Sequence, residues 1–252
     1  MVMSQRYTEP PAEGRNLGRR ASFWVLGFTV VATIAVVPVA GRGAESSTAA
    51  RAVPDEALTS YRALRRMHAK SEKFNQEGWL NAWTEFDGRE FRFEIVDERG
   101  SDYVRNKVLK AVLKREQELV AEGPDRAALT DQNYVFGETE TEPDGERTVA
   151  ITPRRKDVML LEGKMILTPD GNDVARVEGR LAKNPSFWTS LVNVIRHFAR
   201  VDGVRVPVAT ESVAKVKFAG QSRLDVVYEY ESINGQPVSV AAKRVLASAA
   251  AR

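Results

Sequence analysis

The sequence predicts a mainly β protein with helices (α+β), built on an antiparallel sheet, and three observations carry that prediction. Five Asp-Gly or Asn-Gly pairs, at 87–88, 144–145, 170–171, 202–203 and 234–235, punctuate the chain. Such pairs tolerate the positive φ of tight hairpin turns. Between them, apolar residues alternate with polar ones, as in "LDVVYEY", where Leu224, Val226, Tyr228 and Tyr230 share one face. A period of two marks strands with one face in a core. Only one long segment after residue 100, from about Ser101 to Glu122, keeps a helical period instead.

Taken from the N-terminus, Arg15, Arg19 and Arg20 precede the uncharged stretch Ala21 to Ala40, "ASFWVLGFTVVATIAVVPVA". A basic region followed by an apolar one is the pattern of an export signal. Its length also suffices to span a bilayer. Residues 1–43 therefore read as a signal sequence or an N-terminal membrane anchor, with the rest of the chain in the periplasm in either case. Of 37 basic and 34 acidic residues, this segment holds five and two, leaving 32 of each. The following domain is formally neutral, which gives no support to nucleic-acid binding.

Residues 44–53 are small and polar and read as a linker, and 54–240 as one domain. A first helix is expected from Pro54-Asp55-Glu56, with Leu58, Tyr61, Leu64 and Met67 or His68 at helical spacing. Next comes a hairpin turning at Asp87-Gly88, with Trp79 and Trp83 on one face of its first strand and Phe91, Phe93 and Ile95 on one face of its second. Ser101 or Asp102 caps the second helix, and Gly123-Pro124 ends it. Its apolar side holds Val104, Val108, Ala111, Val112 and Leu119, opposite Asn106, Lys107, Lys110, Lys114 and Gln117. That is an amphipathic helix packed on a protein surface. From Asn133 onward the chain reads as a meander of strands, ending in a C-terminal tail, 241–252, that is either a short helix or frayed. Glu138, Glu140 and Glu142 alternate with threonines, as on the solvated face of an edge strand.

The residue inventory argues against an enzyme. The chain has no cysteine and two histidines, His68 and His197, neither with a neighbour at metal-ligand spacing. No strained nucleophile turn and no phosphate-binding glycine loop is present. The cluster "TPRRKD", Thr152 to Asp157, reads as a solvated loop. The pattern implies no catalytic residue, metal site or cofactor.

The stretch "RVEGRLAKNPSFWTSLVNVIRHFARVDGVRVPV" carries a resemblance. Its Val-Glu-Gly strand end and Lys-Asn-Pro-Ser-Phe-Trp-Thr corner resemble exported bacterial envelope proteins of the outer-membrane lipoprotein-sorting (LolA-like) superfamily. "ERGSDYVRNKVLKAVLKREQE", "QNYVF" and "LTPDGNDVARVEG" resemble further units of the same fold. The resemblance spans about Tyr61 to Ser232. It implies an incomplete antiparallel β-barrel of about nine to eleven strands, with helices covering the concave face.

It also implies non-covalent binding of acyl chains or lipoproteins in a cavity between sheet and helices. Trp79, Trp83, Phe91, Phe93, Leu224, Val226 and Tyr228 are the candidate lining. Asn184, Pro185, Phe187 and Trp188 form a structural corner rather than a site, because proline breaks the strand. Phe187 and Trp188 are then expected on opposite faces of the next strand. The alternative function is a regulatory or structural interaction domain tethered by residues 21–40. Whether the barrel interior is hollow or filled with side chains stays open at this level.

Overall fold

The computed structural model describes residues 56–187, 189–217 and 220–251. Its strands are β1 (Tyr61–Ser71), β2 (Gln76–Phe86), β3 (Phe91–Gly100), β4 (Tyr134–Thr141), β5 (Arg147–Pro153), β6 (Leu161–Leu167), β7 (Val174–Leu181), β8 (Thr189–Val201), β9 (Val204–Val216), β10 (Gly220–Ile233) and the two-residue β11 (Gln236–Pro237). All pair antiparallel in one sheet of order β3-β2-β1-β10-β9-β8-β7-β6-β5-β4, with β11 on β10. Its edges, β3 and β4, do not pair with each other, so the barrel is incomplete.

This order dictates where the covering helix lies. β3 and β4 are consecutive strands at opposite edges, so the chain between them must cross a whole face of the sheet. It does so as α1 (Asp102–Val104), a π-helical turn (Arg105–Leu109) and α2 (Lys110–Glu122). Ser101 caps the start, its Oγ accepting from the Val104 amide at 3.5 Å, and Gly123 ends it at φ 117°. The face that this helix covers is called the interior face below. Here Val104, Val108, Val112 and Leu119 are buried as expected, joined by Leu109, Leu113, Glu116 and Val120. The π turn inserts an extra residue per turn, which rotates the apolar stripe and brings Leu109 and Leu113 inward.

The expected first helix is corrected: Tyr61–Ser71 is strand β1. Its buried residues are Tyr61, Ala63, Arg65, Met67, Ala69 and Ser71, a period of two. Tyr61, Leu64 and Met67 also fit a helical stripe, and a charged residue at Arg65 masks the alternation. Positions 54 and 55 lie outside the described residues, as do the signal or anchor segment and the linker.

All five hairpin pairs are turns, with positive φ at Gly88, Gly145, Gly171, Gly203 and Gly235, and also at Asp202 and Asn234. β4 is an edge strand, exposed from Val135 to its end. Of the two readings of the C-terminal segment, the short helix is the one found: α3 (Val240–Ala250), capped by the Ser239 Oγ and anchored by buried Leu246. It packs on β8, β9 and β10. The grooves beside it are lined by Leu64, Trp83 and Val227, or by His197 and Arg176, side chains of the face opposite α2. α1 and α2 thus cover one face of the open sheet, as the fold class implies, and α3 packs on the other. Among the described residues, no helix is long and apolar enough to cross a membrane.

Asn184, Pro185 and Phe187, three of the four corner residues, lie in the loop between β7 and β8. Asn184 Nδ2 donates to the Ser190 carbonyl at 3.0 Å, and Ser186 Oγ meets Thr189 Oγ1 at 2.9 Å. β8 starts only at Thr189, so Phe187 precedes the strand. It is exposed rather than pointing to one strand face, with the Lys217 ammonium 4.3 Å from its ring centroid. Trp188 lies outside the described residues.

Candidate functional site

Strand parity decides what reaches the interior. In the β1–β10 ladder, Ala69 faces Leu224, Met67 faces Val226, Arg65 faces Tyr228 and Ala63 faces Tyr230. In the β2–β3 ladder, Phe86 faces Phe91, Thr84 faces Phe93 and Ala82 faces Ile95. Opposed residues share a face, so Phe91, Phe93, Leu224, Val226 and Tyr228 all lie on the interior face. All but the half-buried Phe93 are buried.

Trp79 and Trp83 do not join them. On β2 the inward positions are Gly78, Leu80, Ala82, Thr84 and Phe86, so both indoles fall on the other face. Trp79 stacks on His68 with centroids 4.7 Å apart, and the Arg99 guanidinium lies 4.7 Å from its ring. Arg62 lies over Trp83 at 4.7 Å. These indoles belong to a half-buried outer surface of cross-strand cations and aromatics.

The middle of the interior holds a charged pair that the sequence reading missed. Arg65 and Glu116 are almost fully buried, with Nη1 to Oε2 at 2.5 Å and Nη2 to Oε1 at 2.8 Å. Nη2 also donates to the Tyr61 hydroxyl at 2.6 Å, and the guanidinium lies 4.9 Å from the Phe91 ring centroid and 4.8 Å from that of Tyr228. Burial opposes the charge of Arg65, but the Glu116 carboxylate with the Tyr61 and Tyr228 phenols together outweigh it and raise the guanidinium pKa. Burial likewise pushes the phenols of Tyr61 and Tyr230 upward, so both stay protonated. A charge in a helix stripe or a strand stripe reads as solvated; only the pairing of the two positions across 51 residues reveals otherwise.

Among the described residues, the interior is packed with the buried side chains of one core cluster. At one end, where α1 and the π turn cross β1, β10 and β9, a cavity of about 30 Å³ remains. It is lined by Ala69, Phe74, Tyr103, Val104, Val108 and Leu224, together with the hydroxyl residues Ser71, Ser212 and Ser222. The Oγ atoms of these three serines are buried without a hydrogen-bond partner among the described residues. That volume fits about one water molecule or one methylene group.

The described residues contain no cluster of three potential metal ligands. His68 is stacked on Trp79, and His197 is buried on the outer face, 4.0 Å from Glu211. The basic loop after β5 has structural partners: Arg154 Nε donates to the Asp131 carbonyl at 2.6 Å, and Arg155 Nη1 to Asn133 Oδ1 at 2.6 Å.

No family model matches the chain, and no curated protein matches it. Among solved structures, the chain is similar to a DUF1329 family protein from Desulfovibrio piger, with 10% identity, 68% of this chain and 84% of the other covered, and a TM-score of 0.35. It is also similar to a LolA superfamily protein from Nitrosomonas europaea, with 11% identity, coverage of 67% and 84%, and a TM-score of 0.33.

Proposed function

We propose that this chain is a non-catalytic binding domain that takes up an acyl chain, free or attached to a lipoprotein, between the sheet and the helix 102–122. The observation that carries the reading is the helix-covered end of the interior, where an apolar cavity is edged by three buried serine hydroxyls without partners. An apolar lining with a few polar groups is the usual make-up of a site for an amphiphile. The helix that roofs it is a connection between the two sheet edges, and its inner side is apolar except for Glu116.

Uptake in this reading is an exchange between closed and open positions of the helix, with no covalent step. Acyl methylenes replace the side chains of Val104, Val108 and Leu109 against Phe91, Leu224 and Val226. The exchange is nearly balanced, because one apolar surface replaces another. The domain acts outside the cytoplasm, delivered by residues 1–43 as a signal or held by them as an anchor.

The test is a titration of the purified full chain with a fluorescent fatty acid, followed by competition with unlabelled hexadecanoate and with a synthetic acylated lipopeptide. Saturable binding displaced by both supports the reading. Absence of saturable binding overturns it and leaves the interaction-domain alternative.

A further inference from the structure

Arg196, at the centre of β8, turns a second guanidinium toward the interior. In the ladders it lies opposite Val177 of β7 and Thr210 of β9, whose own neighbour on β10 is Val226. Ser212 follows two residues along β9, facing Leu224. Arg196 Nε and Nη2, Thr210 Oγ1 and Ser212 Oγ are all buried without a hydrogen-bond partner among the described residues. Together they form a polar lane from the centre of the sheet to the cavity under the helix.

The charges around Arg196 do not satisfy it. Among the described residues, the carboxylic acid that acts most strongly on it is Glu116, and that carboxylate is forked on Arg65. Burial accordingly pulls the Arg196 pKa below its ordinary value. Leaving such a donor unpaired is costly, and its planar fork is shaped to take two oxygens of one anion.

We propose that Arg196, assisted by the hydroxyls of Thr210 and Ser212, receives the anionic head of the bound amphiphile, a carboxylate or a phosphate monoester. The chain then runs outward past Leu224 and beneath Val104 and Val108. This assignment rests on the acyl-binding reading and deepens it: the ligand binds head inward, and neutral acyl esters bind less well.

Calorimetric titration of the full chain with dodecanoate, dodecyl phosphate and methyl dodecanoate tests this, in wild type, Arg196→Met and Arg196→Lys. Wild type is expected to bind at least one of the two anions tenfold or more tighter than the ester, and which anion is favoured tells carboxylate from phosphate. Arg196→Met is expected to lose the preference while still binding the ester, and Arg196→Lys to keep part of it. Equal wild-type affinity for anions and ester overturns the anion site while leaving acyl binding intact. A preference that survives in Arg196→Met, or an equal loss for all three ligands, overturns the role given to Arg196. If wild type binds none of the three, the acyl-binding reading itself falls. Should Arg196→Met fail to fold, the wild-type comparison and Arg196→Lys still decide.

Discussion

Arg65 of β1 and Glu116 of α2 form a two-point ion pair inside the protein, at 2.5 and 2.8 Å, and thereby fix the crossing helix over the sheet. A buried pair of this kind contributes little net stability against an apolar replacement, but losing one partner strands the other charge in the interior. Its effect is to set where the helix sits. Glu116→Ala is expected to destabilise the fold by about 3–5 kcal/mol. The double variant Arg65→Met, Glu116→Leu is expected to recover most of that loss. Urea denaturation of the two variants checks both; a double variant no more stable than Glu116→Ala contradicts the account.

Gly163 of β6 and Gly179 of β7 are opposed in their ladder, and a Cβ on either would collide with the backbone of the other strand, at the Glu178 or Glu162 carbonyl. This close approach needs two glycines face to face. Gly163→Ala and Gly179→Ala are each expected to cost about 1–3 kcal/mol, the usual range for overpacking. Thermal or urea melts measure it. Unchanged stability in both would show that the strands separate freely there.

Acidification should weaken the fold through His197. Burial holds its pKa below the ordinary 6.5, with Glu211 opposing that shift and Arg176 adding to it. The folded state thus binds the proton less readily than the unfolded chain, so stability declines as pH falls through 6.5 and levels off below the folded value. His197→Gln is expected to flatten this part of the stability profile between pH 7.5 and pH 5. Asp157 and Asp173 do not confuse the measurement. Burial opposes their ionisation, but the Met159 amide and Arg126 for Asp157, and Arg200 with Arg205 for Asp173, hold both carboxyls below 3.8. Their stabilisation is present above that value and disappears only at lower pH.

The outer placement of the tryptophans gives a contrast between faces. Trp79→Ala removes a stack on His68 and a cation contact from Arg99, and is expected to cost about 1 kcal/mol. It should leave acyl affinity unchanged. A large loss of affinity in a folded Trp79→Ala variant would return the indole to the ligand site.

The hairpins and most strand faces were legible because turn chemistry and period-two alternation are local. Asp202-Gly203 and Asn234-Gly235 turn where expected, and Leu224, Val226 and Tyr228 face inward as expected. The face of Trp79 and Trp83 was also legible in principle. With Phe86 and Phe91 flanking the hairpin, strand parity sends Phe86 inward and the two indoles outward, whereas aromatic size alone suggests the reverse. β1 fits a helical stripe on paper because its buried alternation runs through Arg65. Neither Arg65 nor Glu116 signals burial by itself, since each is inside only because the other is. The orphan groups Arg196, Thr210 and Ser212 are not legible for a related reason: on paper a polar residue on an inward stripe reads as a break in the stripe.

The most direct test of the central claim is where a bound acyl chain lies. A photoactivatable fatty acid with a diazirine in mid-chain, cross-linked to the full-length protein and mapped by peptide mass spectrometry, reports that position. The account predicts labels on interior residues, around Val104, Val108, Phe91 and Leu224, that excess hexadecanoate suppresses. Labels confined to α3 and the Trp79–Trp83 surface, or labelling that hexadecanoate does not suppress, would contradict it.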